Sequence, residues 1–283
     1  MNYAFYPGCS LHSTGLEYSL STRAVFSHLG SGLTELPDWN CCGASSAHAL
    51  NHSLALALPA RNLAIAQSTG KDLVIPCAAC YNRMKSTERT LRLEPEIRAE
   101  IEDLVGFHFS GETSIRPVLG VLYEDYGVRT IAEAVVYPLA GLRLVPYYGC
   151  LLVRPPEVTR FDDPENPHIM SDLLRAAGAN VLDWSYATDC CGGSLSLSRS
   201  DVVQHLVGRL VERAREAGAE ALVTACPLCQ VNLEMRQLSE PKMPAFYFTE
   251  LLGLAFGLPE ADRWWKKHLI DPRPLLSFAG LVK

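Results

Sequence analysis

The sequence predicts an α/β protein of two pseudo-repeated domains, each a small parallel sheet flanked by helices around a five-cysteine site. Three observations carry this expectation. Short apolar β-type runs alternate with stretches of helical periodicity, the order that builds parallel sheets. The ten cysteines fall into two copies of one pattern. The residues around those cysteines also match between the copies.

The cysteines are Cys9, Cys41, Cys42, Cys77 and Cys80, then Cys150, Cys190, Cys191, Cys226 and Cys229. Each copy reads C, then CCG, then CxxC. The second cysteine of the pair stands 35 positions before the CxxC in both copies, and four of the five positions are related by an offset of 149. Cys9 and Cys150 are 141 apart, so the second copy holds eight extra residues ahead of its pair.

In the first copy, Tyr3 to Tyr6 reads as a strand leading into "PGC". Leu16 to Leu29 reads as a helix, with Thr14 as N-cap and Gly30 as its stop. Leu33 to Leu36 is a second strand before the CCG. His52 to Ser68 has helical spacing, crossed by Pro59, and Leu73 to Ile75 is a third strand. The second copy repeats the order: strand Leu144 to Tyr148, helix Ile169 to Ala177, strand Val181 to Asp183, helix Val202 to Ala217, strand Leu222 to Thr224. "DLVIPCAAC" and "ALVTACPLC" both run an apolar strand into the CxxC. The paired thiols are therefore expected at a helix N-terminus, where free N–H groups and the macrodipole favour negative charge. Such sites lie at the C-terminal ends of the strands, where open α/β sheets build them.

The expected organisation is a first CCG domain over 1–92, a helical bridge over 93–142 with "EPEIRAEIEDLV" its clearest helix, a second CCG domain over 143–258 and a tail over 259–283. The extra length of the second copy lies mainly in the Pro-rich loop from Arg154 to Pro167. Trp264 and Trp265 in "DRWWKKHL" read as packing residues of the tail, with partner or membrane-surface docking the other reading.

Composition narrows the function classes. The 283 residues are 48% hydrophobic, with 25 basic and 31 acidic side chains. The net charge is −6 and no basic block occurs, which argues against nucleic acid as a partner. No apolar run reaches the roughly 18 residues of a membrane span, and no signal peptide precedes the first strand. The expected location is the cytoplasm, where ten cysteines serve as ligands or catalysts rather than bridges.

Five sulfurs per copy is an odd number. A disulfide framework leaves one thiol over, and so does a tetrahedral structural zinc. Neither copy contains the cubane run C-x2-C-x2-C-x3-C. Adjacent cysteines point in different directions and suit neighbouring metals better than one ion. The following glycines let the backbone approach a cluster and donate N–H to its sulfur. A polynuclear metal centre in each copy is the expectation, with zinc plus a free thiol in one copy as the alternative.

These motifs resemble those of the B-type subunit of heterodisulfide reductase and its bacterial relatives. The resemblance spans nearly the whole chain, through "YPGC", "NCCGA", "CAACY", "YYGCLLVRPPEVTRFDDPENP", "DCCGGSL", "CPLCQVNLE" and "YFTELLGLAFG". It implies two noncubane 4Fe–4S clusters, one on Cys9, Cys41, Cys42, Cys77 and Cys80 and one on Cys150, Cys190, Cys191, Cys226 and Cys229. It further implies an oxidoreductase acting on sulfur groups: the catalytic subunit of a larger complex, reducing or forming a small disulfide or thiol at its clusters. The implied partners are the reductase's other two components, a C-type ferredoxin-like protein with two cubane clusters and an A-type flavoprotein. The two clusters are expected to face each other and bind one sulfur each. The loop from Arg154 to Pro167 is the candidate substrate contact, and His12, His48 and His168 are candidate proton donors. The alternative role is an electron-relay CCG subunit of a membrane-associated dehydrogenase of succinate, glycolate or lactate type.

Overall fold

Short apolar runs set the strands. Asn2–Phe5 (β1), Gly32–Glu35 (β2) and Leu73–Ile75 (β3) pair in parallel, and Ile115–Pro117 (β4) joins β3. Arg143–Tyr147 (β5), Asn180–Val181 (β6), Ala221–Thr224 (β7) and Ala245–Tyr247 (β8) do the same in the second half. Both sheets have one strand order, β2-β1-β3-β4 and β6-β5-β7-β8. The computed structural model describes residues 1–44 and 47–282, with the side chain of His48 outside the description. The expected α/β duplication is the fold observed. The inner strands β3 and β7, and the short β8, are buried throughout, as strands covered on both faces must be.

Helices cover the sheets. Those of the first half are Gly8–Leu11 (α1), Leu16–His28 (α2), Ala47–Leu50 (α3), His52–Ser68 (α4) and Ala78–Leu93 (α5). Pro95–Val105 (α6), Val118–Val121 (α7) and Gly127–Glu133 (α8) follow. The segment 93–142, expected to be helical, thus also supplies β4. Three residues ending in proline are too short to show a period in sequence. The second half has Pro156–Thr159 (α9), Ile169–Ala176 (α10), Ser200–Glu216 (α11), Pro227–Met235 (α12) and Phe248–Ala255 (α13), and the tail Ala261–Trp264 (α14) and Arg273–Phe278 (α15).

Two local expectations need correction. Thr14 does not cap α2; the N-cap is Gly15, without a side-chain cap. A Cβ at Gly15 would lie 3.0 Å from Pro227 and 3.1 Å from the Tyr247 hydroxyl, so the second half presses on the start of α2. Strand β6 is shorter than expected and starts one residue earlier. Pro59 sits inside α4, which continues past it to Ser68. Its other end is secured by Asn51, whose Oδ1 accepts from Leu54 N at 2.8 Å.

One apolar core runs through both halves, and a smaller cluster of Leu56, Ala60, Leu91, Ile101 and Phe109 lies under α4 to α6. The halves exchange helices. Helix α2 of the first half packs along α13 of the second, and α10 of the second packs against α7 and α8 of the first. Trp264 and Trp265 are buried, with Trp264 lying over Gly253. The packing reading of the tail therefore holds, and these two rings are not a docking surface.

Candidate metal–sulfur site

Each CxxC caps a helix, as the sequence predicts. Cys77 and Cys226 are the N-cap residues of α5 and α12, in extended conformation, and Cys80 and Cys229 sit in the first turns. The other cysteines close around them. In the first half the Cys42 and Cys80 sulfurs are 3.1 Å apart and those of Cys41 and Cys9 4.0 Å. In the second half Cys191 and Cys229 are 3.4 Å apart, and Cys150 bonds to Cys190. The two groups also adjoin: Ala78 and Ala79, which follow Cys77, line the cavity of the second quintet, and the Cys77 and Cys226 thiols shift one another's pKa in opposite directions.

All five sulfurs of the second half line one cavity of about 110 Å³, together with Ala44, Ala78 and Ala79 of the first half. Its other walls are Tyr148, Leu151, Gly193, Ser194 and Leu228, so no basic side chain faces the sulfurs. Buried thiolates need a countercharge. For the buried Cys191, Cys226 and Cys229 this wall offers none, so the donor set fits a bound polycation. Among the described residues, no three His, Cys, Asp or Glu side chains converge on a point as ligands of a single ion do. Five sulfurs strung around a space suit a multinuclear centre better than one zinc.

At the first cysteine and the first member of the pair, the electrostatics repeat between the copies. Cys41 is held in its thiolate form by hydrogen bonds from Cys42, Cys9 and the Gly43 N–H. Cys190 is lowered to about 6 by Cys150 and by the N–H groups of Gly192 and Gly193, the former 3.3 Å from its sulfur. Cys9 and Cys150 move the opposite way, chiefly because each donates to the first cysteine of its pair. The glycines thus bring backbone N–H groups to sulfur in both copies.

Sequence reading missed the tyrosines that hold the CCG loops. The Tyr6 hydroxyl donates to Asn40 O at 2.8 Å and that of Tyr147 to Asp189 O at 2.7 Å, each just before a cysteine pair. Both stand three residues before the first cysteine, in "YPGC" and "YYGC", so the signal was available. Buried amides add to the hold: Asn62 bonds to Asn40, and Asn232 donates to Cys191 O at 3.1 Å.

The Pro-rich loop forms a mouth of about 410 Å³ that opens at Cys150 and Leu151, which also line the sulfur cavity. Arg154 stands in this mouth, donating to Pro164 O at 3.0 Å and Thr188 Oγ1 at 2.9 Å and pairing with Glu165 at 2.9 Å. The first half fixes the loop. Asn82 donates to Leu151 O and Arg154 O at 3.1 and 2.8 Å, and the Tyr81 hydroxyl to Thr159 O at 2.6 Å.

The histidines sit in other settings. His12 pairs with Glu35 at 3.0 Å against the Trp39 edge. His168 pairs with Asp172 at 2.9 Å, which raises its pKa. The His48 side chain lies outside the described residues.

A family model described as the CCG cysteine-rich domain matches residues 3–85 and 145–234, once in each half. The chain belongs to the CCG cysteine-rich domain family. Among curated relatives, this CCG protein is 28% identical to the 8-methylmenaquinol:fumarate reductase membrane anchor subunit of Wolinella succinogenes, over 96% of this chain and 98% of that one. It is 26% identical to the B-type subunit of the ferredoxin:CoB-CoM heterodisulfide reductase of Methanosarcina mazei, over 88% and 87%. It is 27% identical to a protein of Archaeoglobus profundus described as like the B-type heterodisulfide reductase subunit, over 91% of each chain. Its fold matches the crystal structure of a hypothetical protein from Helicobacter pylori with a TM-score of 0.73 at 12% identity. That match covers 95% of this chain, which spans about half the length of the other.

In this CCG protein the two glycines before the first cysteines are sterically required. Gly149 has φ +65°, and a Cβ there would stand 3.1 Å from the Cys229 sulfur; Gly8 has φ +67° and 3.0 Å to Cys80. Gly149→Ala is expected to destabilise the chain by about 1–3 kcal/mol and to lower metal retention in the second half. Gly30→Ala shares the positive φ but faces open space, so it should lower stability without affecting metal. Denaturant unfolding and metal analysis of the two variants check this.

Proposed function

We propose that this chain is the iron–sulfur subunit of a multi-subunit oxidoreductase of heterodisulfide reductase type, and that it reduces or forms a small disulfide. The observation that supports the reading is the shared cavity, where all five second-half sulfurs meet Ala78 and Ala79 of the helix that Cys77 caps. One small disulfide could then reach both sulfur groups. Cys9, Cys41, Cys42, Cys77 and Cys80 would hold one noncubane 4Fe–4S cluster, and Cys150, Cys190, Cys191, Cys226 and Cys229 the other. Bound there, the clusters supply single-electron steps at sulfur. The chain's own residues do the rest. The Pro-rich mouth admits the substrate, and Arg154 faces it at the rim. Apolar Ala78, Ala79 and Leu228 line the cavity beside the buried sulfurs of Cys191, Cys226 and Cys229, while Cys190 stays open to solvent. Electrons come from a ferredoxin-like protein with two cubane clusters, itself served by a flavoprotein.

A second reading is supported by the Wolinella relative: an electron-relay subunit of a quinol-linked complex at a membrane. No helix among the described residues is long and apolar enough to cross a bilayer, and Trp264 and Trp265 are buried. Membrane contact would then use another face or another subunit.

Protein purified without oxygen is expected to carry about eight irons and as many sulfides per chain. It should oxidise a reduced viologen only when a small disulfide is supplied. Zinc in place of iron would sink both readings. Full iron with no viologen oxidation when a disulfide is supplied, together with binding to lipid vesicles, would favour the relay.

A further inference from the structure

The Pro-rich loop has a second face, away from the sulfurs. Its helix α9 packs on α5 of the first half, and a cleft of about 160 Å³ lies between them. No residue of this cleft also lines the mouth. The two helices are pinned together by Tyr81, whose hydroxyl donates to the carbonyl of buried Thr159 at 2.6 Å.

Six charged side chains line the cleft: Lys85, Glu88, Arg89 and Arg92 of α5, Glu157 of α9, and Arg160 at the C-cap of α9. Four are basic, on a chain whose net charge is −6. Part of this charge is already engaged. Glu88 is buried and pairs with Lys85 at 2.5 Å and with Arg92 at 3.0 Å. Arg92 also donates to Gly111 O and lies over the Phe109 ring at 5.7 Å. Among the described residues, no side-chain hydrogen bond or ion pair engages Arg89 or Arg160.

Nothing in the fold demands cations at these places. With the offset of 149 between the copies, Lys85, Arg89 and Arg92 correspond to Glu234, Leu238 and Pro241. The sister helix forms without the basic face. Arg160 is the sharper case, because its backbone is left-handed, with φ +46° and ψ +43°. A side chain in that region costs free energy that glycine avoids. The Arg160 N–H closes the cap by donating to Pro156 O at 3.0 Å, a bond that glycine would make as well. The cap therefore gives no reason for an arginine here, and its guanidinium does.

We propose that this cleft binds one tetrahedral dianion, phosphate or sulfate, held between Arg89 and Arg160. Guanidinium groups present N–H donors in a fixed fork that matches two oxygens of such an ion. Lys85 adds to the positive field. The volume is below the roughly 300–1,000 Å³ of pockets for larger ligands, which suits the bare ion rather than a nucleotide. The ion bridges the halves. Helix α5 carries Cys80, and Pro155 and Pro156 at the start of α9 line the mouth.

The test uses the full chain, purified without oxygen and titrated with sodium phosphate or sodium sulfate, with chloride keeping the ionic strength constant. Calorimetry should show one ion bound per chain. The unfolding midpoint should rise with ion concentration, as for any ligand of the folded state. Both ions also stabilise proteins in general, by exclusion from the surface, so the comparison with variants decides. Arg89→Gln and Arg160→Gly should each weaken binding about tenfold or more, the effect of losing a charge-assisted hydrogen bond. Without the ion, Arg160→Gly should be at least as stable as the unaltered protein, because glycine relieves the left-handed turn. The more tightly bound ion identifies the ligand. Absence of saturable binding of either ion, or equal binding by the unaltered protein and both variants, overturns the proposal. So does a loss of stability in Arg160→Gly with binding intact, which would make the arginine structural. Binding of oligoglutamate but of neither ion would overturn it in favour of an acidic protein partner.

Discussion

Replacing His268 by alanine is expected to cost the folded chain about 3–5 kcal/mol, the cost of breaking a buried ion pair from one side. Burial by itself would lower the imidazole pKa. Glu250 and Glu234 outweigh that penalty and hold it at about 11. The ring is therefore a cation at neutral pH, bonded at both nitrogens. Alanine would leave two buried carboxylates facing each other without a countercharge. The tail would also lose its anchor, since His268 follows directly on the segment of Trp264 and Trp265. Because the folded-state pKa is raised, the stabilisation is complete below the unfolded value of about 6.5 and is lost as pH rises toward 11. The difference between wild type and variant should thus be large at neutral pH and shrink in alkali. Chemical unfolding across that range measures it. A difference under about 1 kcal/mol at neutral pH, the level of an exposed pair, would show that the contacts are ordinary surface ones. Replacing His268, Glu234 and Glu250 together with amides should recover much of the loss, because no unpaired charge remains.

What the sequence made legible divides along physical lines. The duplication was readable because sulfur ligands are rare residues at fixed spacings, and their recurrence does not depend on how the chain packs. The strands before each CxxC were readable because "DLVI" and "ALVT" are short, apolar and followed by a turn. The fourth strands were not, since "IRP" and "AFY" are too short to show alternation. The N-cap of α2 failed for a tertiary reason: Gly15 stands there because Pro227 and Tyr247 leave no room for a side chain. The same limit hid the buried acids. Glu17, Glu234, Glu250 and His268 come from four distant segments, and no spacing rule links a charge in α2 to one in α13. The repeated tyrosine was a different omission. "YPGC" and "YYGC" display it openly, but its role becomes visible only when the Asn40 and Asp189 carbonyls are placed at the hydroxyls.

Cys77→Ala and Cys226→Ala are each expected to abolish disulfide turnover while removing only about half of the iron. Each cysteine caps its own CxxC helix, so its loss opens one quintet and leaves the other complete. Losing a ligand should cost more than the roughly 10–100-fold typical of a residue that merely supports one. On the reductase reading, however, the two centres act together, because Cys77 and Cys226 influence each other across the boundary of the halves. The walls of the second cavity are also partly first-half residues, Ala44, Ala78 and Ala79. A disulfide held by one centre alone would lose its second point of attachment, and the remaining centre could deliver only part of the two electrons needed. Cys41→Ala, at an exposed position beside Cys9, should lose iron from the first half to a similar degree. Comparing iron content with turnover across the three variants separates cooperation from simple addition. If either junction variant keeps half of the turnover along with half of the iron, the centres work independently. The nearness of Cys77 and Cys226 would then be a matter of packing alone.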